Sequence, residues 1–396
     1  MLTLNKESKV KLIYFFRLIT FLSICIVSSC GLPKEPKHEY AQDPYRLEGV
    51  TSISTGGFQS CALLNDRSVR CWGKNDVGQL GNDTNINNSF ATYISGISNA
   101  IFVSVGYYHI CTLLTNNSIQ CWGENSDGQL GDGSNTRNST PVDVSGISTA
   151  TAISAGNNHT CALLANNTVQ CWGSNNSGQL GNGSTTSSST PVNVSSISNA
   201  TAISSGSSHT CALLANNTVQ CWGSNNSGQL GNGSTTSSST PVNVSGISSA
   251  TAISTGNNHT CALLADNTIK CWGDNGSGQL GNGSTTNSNT PVNTSSISNA
   301  DTISTGNSAS CAILANNTIK CWGLNGSGQL GNGSTTNSNT PVNVSNISIA
   351  SMVSIGDAHT CSLLTNNTVQ CWGSNSSGEL GDGTTTNSSI PVTVIY

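Results

Sequence analysis

The sequence predicts an all-β protein built as an array of seven fifty-residue units, and three observations predict it. Tryptophans fall at Trp72, Trp122, Trp172, Trp222, Trp272, Trp322 and Trp372, in steps of fifty. Cysteine pairs keep the same step: Cys61 with Cys71, Cys111 with Cys121, Cys161 with Cys171, Cys211 with Cys221, Cys261 with Cys271, Cys311 with Cys321, and Cys361 with Cys371. Residues 159–195 are identical to residues 209–245, so duplication built at least part of the array. A period of forty to fifty residues holding several short strands is the signature of a propeller or a solenoid.

The N-terminus reads as an address. Lys6, Lys9 and Lys11 precede an apolar stretch from Leu18 to Val27 that is too short to span a bilayer and suits a signal-peptide core. It ends in Val27, Ser28, Ser29, Cys30, which resembles the bacterial lipobox. That resemblance implies removal of residues 1–29 and lipidation of Cys30 as the mature N-terminus. Residues 30–48 carry Pro33, Pro36, Pro44 and the densest charge of the chain, as a solvated tether would. Gly31 follows Cys30 instead of the aspartate associated with inner-membrane retention, so the outer membrane or cell surface is the expected location.

Residues 49–396 form the array. Only 8% of the whole chain is charged and 5% aromatic, a composition that leans towards disorder. Against it stand the regular apolar blocks of each unit, which give every repeat something to bury. Within one unit, Cys161–Leu164 and Thr168–Trp172 flank Ala165, Asn166 and Asn167 and read as a hairpin. A three-residue loop of this kind puts its last residue in the left-handed region, which Asn tolerates. Cys161 then opposes Cys171 and Leu163 opposes Val169. Both faces of the strand are apolar, as an inner strand packed between neighbours requires.

The C-x9-C spacing differs from that of zinc knuckles, and exported chains favour disulfides, so seven intra-hairpin bridges are expected. A His159–Cys161–Cys171 metal cluster is the rival. The first and sixth units argue against it, since they keep both cysteines while carrying Gln59 and Ala309 in place of the histidine. His109, His159, His209, His259 and His359 are therefore expected to be buried hydrogen-bonding groups tying strand to loop. Each Trp follows a Cys in a buried strand and reads as packing between units. No metal or cofactor is expected.

The segment HTCALLANNTVQCWGSNNSGQLGNG resembles the repeat of the regulator of chromosome condensation family, seven times over residues 50–396. That resemblance implies a seven-bladed β-propeller. It does not carry the family's nucleotide-exchange activity over, because these repeats are uniform and lack an inserted wedge. It also brings to mind a secreted bacterial member that clamps β-lactamases through one propeller face.

Formal net charge is −5, and −8 once residues 1–29 are removed, because Lys6, Lys9, Lys11 and Arg17 outweigh Glu7 by three. Nucleic acid is thereby an unsuitable partner. Between Val144 and Ala265 there is no Asp, Glu, Lys or Arg, and no catalytic motif is present elsewhere, so binding is expected rather than catalysis. The expected protein is a monomeric cell-envelope lipoprotein presenting a protein-interaction module, adhesin-like or inhibitor-like, that meets the membrane only through its lipid. Carbohydrate binding and guanine-nucleotide exchange are the alternatives. The distinctive surface chemistry lies in the first two units: Arg67, Arg70, Lys74, Phe90, Tyr93, Tyr107 and Tyr108, with Phe58 and Phe102 among the further aromatics.

Overall fold

The computed structural model describes residues 46–396, so the signal segment, Cys30 and most of the tether lie outside the described residues. Strands β1 (Val50–Thr55), β2 (Gln59–Leu64), β3 (Val69–Gly73) and β4 (Asn88–Tyr93) form one antiparallel sheet in that order. The pattern returns at 100–143 (β5–β8), 150–193 (β9–β12), 200–243 (β13–β16), 250–293 (β17–β20), 300–343 (β21–β24) and 350–393 (β25–β28). Each sheet is a blade, and the first strand of each touches the first strands of both neighbours, β1 reaching both β5 and β25. The seven blades therefore close into a ring. This is the seven-bladed all-β propeller, and an open solenoid is excluded.

The hairpin register follows the sequence pattern. Cys161 pairs with Cys171 and Leu163 with Val169, and all seven cysteine pairs are disulfide-bonded across β2–β3 or its equivalents. Asn167 closes its turn at φ 63°, as do Asn117, Asn217, Asn267, Asn317 and Asn367 at 62–63°. In the first blade that left-handed place is filled by Arg67, at φ 67°.

Burial is organised between blades. One cluster joins Leu113, Ile119, Leu130 and Val144 of the second blade to Ala162 and Trp172 of the third, and the same pairing recurs around the ring. Every Trp is fully buried, and its indole N–H donates to a carbonyl of the preceding blade: Trp172 to Gln129 and Trp222 to Gln179, both at 2.9 Å. The glycine closing each GQLG block lies against that indole. A Cβ on Gly181, at φ +68°, would stand 2.7 Å from Trp222 Nε1. A buried Asn shapes the long loop between third and fourth strands. Asn175 accepts from the Leu180 N–H at 2.9 Å and donates to the Ser184 and Thr186 carbonyls.

The histidines correct one expectation. They tie blade to blade instead of strand to loop: His109 Nε2 lies 2.8 Å from Thr160 Oγ1, His159 2.9 Å from Thr210 and His359 2.8 Å from Ser60. The hydroxyl sits on the next blade because His and Thr are adjacent in sequence and so face opposite sides of their strand. Closure also draws in residues assigned to the tether. Leu47 is buried, and Arg46 bridges Ile395 beside the last strand.

Candidate functional site

Because each blade runs up, down, up and down from the axis outwards, the first and third loops of every blade share one end of the ring. The innermost of these loops meet around the axis. Their second residues form a seven-membered ring: Gly57, Tyr107, Asn157, Ser207, Asn257, Asn307 and Asp357. Backbone hydrogen bonds run around it, from the Gly57 N–H to the Gly106 carbonyl at 3.1 Å, Tyr107 to Gly156 at 3.3 Å, and finally Asp357 to Gly56 at 3.0 Å, where last blade meets first. Side chains add Asn157 to Ser207 at 2.9 Å and Asn257 to Asn307.

The ring is uniform except across blades 7, 1 and 2. There Phe58 stands edge-on to Tyr107, with centroids 5.6 Å apart, and Tyr107 edge-on to Tyr108 at 4.6 Å. Lys74 Nζ lies 5.3 Å from the Phe58 centroid and 5.2 Å from that of Tyr108, while pairing with Asp76 at 3.3 Å. All three aromatics are half-buried. Burial, helped by the nearby Asp357 charge and Tyr108, pushes the Tyr107 phenol up to about 12. Burial also raises the Asp357 carboxyl, against a hydrogen bond with Asn307 that lowers it. Glu379 replaces the Gln found at 79, 129, 179, 229, 279 and 329. It is buried at the seam with Oε1 unpartnered, and that burial raises its pKa.

Charge is divided between the two ends. Among the described residues, the axial and long loops at this end carry nine carboxylates against Lys74 and Arg137, and eight of the nine belong to blades 7, 1 and 2. The remaining described charges, on the opposite loops, at the chain termini and within the strands, are balanced, with five of each sign. Lys74 with Asp76 is the one ion pair among the described residues.

The residues singled out from sequence thus fall into separate places. Lys74, Tyr107 and Tyr108 meet at the axial mouth. Arg70 is a half-buried residue on the other side of the blade: its guanidinium lies 3.8 Å from the Tyr93 centroid and 4.8 Å from that of Tyr396, and donates to the Ala91 carbonyl at 3.3 Å. Tyr93 is exposed beside it, Phe90 is exposed on the outer strand near Gly383, and Arg67 sits in the hairpin turn at the far end. Phe102 packs into the core between the second and third blades. The mouth adds Phe58, Asp357 and Glu379, which the sequence reading did not include as binding residues. Aligning the seven units position by position shows Glu379 as the one exception in a column of glutamines, whereas Phe58 and Asp357 stand in columns that vary from blade to blade.

A ring of repeated blades with one chemically distinct sector is a binding scaffold in form. The family model described as RCC1-like domain matches residues 27–360, and that of the regulator of chromosome condensation (RCC1) repeat matches residues 351–379. The chain belongs to the RCC1-like family, whose propellers are protein-interaction modules. Among solved structures it is similar to Prp20p of Saccharomyces cerevisiae, reported with its binding to Gsp1p and histones, at 22% identity and TM-score 0.73 over 88% of this chain and 87% of that one. Human WBSCR16 is similar at 20% identity and TM-score 0.68, over 82% and 92%. The ectodomain of the Arabidopsis thaliana receptor kinase ACR4 follows at 21% and 0.51, over 82% and 97%. No curated protein sequence matches the chain.

Proposed function

We propose that this protein is a cell-envelope lipoprotein whose propeller binds a protein partner, adhesin-like or inhibitor-like, through the axial mouth formed by blades 7, 1 and 2. The observation that carries the reading is the cluster of Phe58, Tyr107 and Tyr108 around Lys74, set in a ring otherwise made of Gly, Asn, Ser and Asp. Binding energy concentrates in a few aromatic and cationic anchors, which the near-uniform Ser, Thr and Asn loops of blades 3–6 do not supply. The role is binding and not catalysis. Lipid attachment at Cys30 rests on the sequence of residues 18–30 alone, as does the outer-membrane or surface location.

The reading is tested by comparing immobilised full-length wild type with a Phe58→Asn, Tyr107→Asn, Tyr108→Asn triple variant. A partner retained by wild type and by Tyr93→Ser but lost from the triple variant supports it. Retention by the triple variant contradicts it. Cys30→Ala tests the anchor separately: release from membranes and loss of labelling by a fatty-acid probe are expected, and continued membrane retention contradicts the lipoprotein reading.

A further inference from the structure

At four places the polar pattern of the array gives way to apolar or aromatic side chains, and all four lie on the outer wall where the last blade meets the first. Phe90 stands where blades 2–6 carry threonine, and Tyr93 where those blades carry Asp143 or asparagine. Ile395 and Tyr396 stand where the other six blades carry serine followed by Gly, Ser or Asn. The fold gathers these residues. The Ala91 N–H donates to the Ile395 carbonyl at 3.1 Å, and the Arg70 guanidinium lies 3.8 Å from the Tyr93 centroid and 4.8 Å from that of Tyr396. A Cβ on Gly383 would come within 3.0 Å of the Phe90 ring and 3.4 Å of Ile395 Cδ1. Packing of the closing blade does not account for the aromatics, because it leaves Phe90 43%, Tyr93 53% and Tyr396 47% exposed. Large apolar side chains grouped in the open mark a surface that something else covers.

The place where the chain enters the ring indicates what covers it. Arg46 bridges Ile395, beside Tyr396, and Leu47 is buried in the same cluster as Ala91 and Val394. Cys30, the expected lipid site, precedes Arg46 by sixteen residues. Sixteen residues span at most about 58 Å. A lipid at Cys30 therefore tethers the ring by this wall, and a contact too weak to hold a free protein becomes populated once it is intramolecular. The chemistry agrees. Tyrosine joins an apolar ring to a polar tip, the combination enriched at the level of the headgroups, and Arg70 extends its stem along two such rings. Neither β4 nor residues 388–396 carries a carboxylate side chain, so this wall lacks the repulsion that the nine carboxylates of the mouth end would meet at anionic lipid.

We infer that the outer wall at the seam of blades 7 and 1, through Phe90, Tyr93 and Tyr396, rests in the headgroup layer of the bilayer that holds the lipid anchor. The inference rests on lipid attachment at Cys30, and it adds a protein contact where the sequence alone offered only the lipid. Tyr93 ends β4 at the side away from the axial loops, so the mouth stays open to a partner.

The test uses the lipidated protein in vesicles of phosphatidylethanolamine and phosphatidylglycerol, doped with a phosphatidylcholine that carries a diazirine beside its headgroup. Irradiation and peptide mapping read the lipid adducts strand by strand. Peptides holding Asn88–Tyr93 and residues 393–396 should carry at least fivefold more adduct than the peptide holding Ser238–Asn243, the equivalent outer strand across the ring. Phe90→Thr, Tyr93→Asn and Tyr396→Ser together restore the side chains of other blades. They should bring the seam peptides down to the level of Ser238–Asn243 while the variant stays on the vesicles through its lipid, with unchanged thermal unfolding showing that it is folded. Equal labelling of the two strands, or undiminished labelling of the triple variant, would overturn the inference. A lipidated protein whose seam goes unlabelled, because residues 31–45 or a second copy of the chain cover it, would overturn the inference and leave the anchor standing. Absence of lipid from Cys30 by mass spectrometry would overturn both, so the two failures are told apart.

Discussion

His359 Nε2 lies 2.8 Å from Ser60 Oγ, so the same histidine–hydroxyl bond that joins neighbouring blades also fastens the last blade to the first. In each, the hydroxyl donates to a backbone carbonyl, so the imidazole Nε2–H donates to the hydroxyl, and it is burial that favours the neutral ring. Burial pushes the histidines down to about 4 for His109 and His359 and about 3 for His159, His209 and His259. The unfolded chain takes up these protons from about pH 6.5 downwards, but the fold does not, so stability falls with falling pH across the window from about 6.5 towards 4. Each histidine adds a slope of up to about 1.4 kcal/mol per pH unit there. In the lower part of that same window, above about pH 4, Asp357, Asp127 and Glu379 oppose the trend, since their raised pKa values let the fold bind protons before the unfolded chain does. The unfolding temperature should therefore drop between pH 6.5 and 5, and His159→Gln, imitating Gln59 of the first blade, should flatten the slope. An unchanged slope would contradict the account.

Gly181→Ala should destabilise the protein by more than about 2 kcal/mol, from overpacking against a buried side chain. Its new Cβ would sit 2.7 Å from Trp222 Nε1 and carries the left-handed penalty as well, at φ +68°. Gly146→Ala has a similar φ of +72° but nothing within 4 Å, so it should cost only about 1 to 2 kcal/mol. Denaturant unfolding of the pair separates overpacking from backbone strain, and equal losses would show that the indole contact is unimportant.

Arg67→Asn should stabilise the first blade by about 1 kcal/mol. Arg67 holds φ 67° where Asn fills the equivalent turn position in the other six blades, and Asn tolerates that region better. The midpoint of chemical unfolding, with an unchanged slope, is the readout. A loss of stability would mean that the Arg67 side chain makes a contribution larger than its backbone strain.

Peptide mapping without reductant should recover seven bridges, each between cysteines ten residues apart, with no free thiol among the fourteen. Opening one by Cys161→Ser with Cys171→Ser should cost roughly 2 to 3 kcal/mol, the value for so short a loop. Recovered free thiols with bound zinc would reverse the assignment.

The hairpin was legible down to single residues. Cys161 opposite Cys171 and the left-handed Asn167 both follow from strand alternation and loop length, which are local. The mouth was only half legible. Lys74, Tyr107 and Tyr108 stand out by composition, but Arg67, Arg70 and Tyr93 do too, and only strand direction sends the two sets to different places. Asp357 and Glu379 were missed because they reach the site through ring closure, about three hundred residues from Phe58 along the chain. The histidines went to a neighbouring blade for the same reason: hydrogen bonds between units separated by fifty residues leave no trace within one unit.

The central claim is that the partner meets the axial mouth of blades 7, 1 and 2. Photo-crosslinking tests it most directly, with a benzoylphenylalanine placed in turn at Tyr108 in the mouth, Tyr93 on the outer strand and Asn166 at the opposite end of the full-length protein. Irradiation should yield one protein adduct from Tyr108 and none from Asn166. An adduct from Asn166 or Tyr93 with none from Tyr108 would contradict the account.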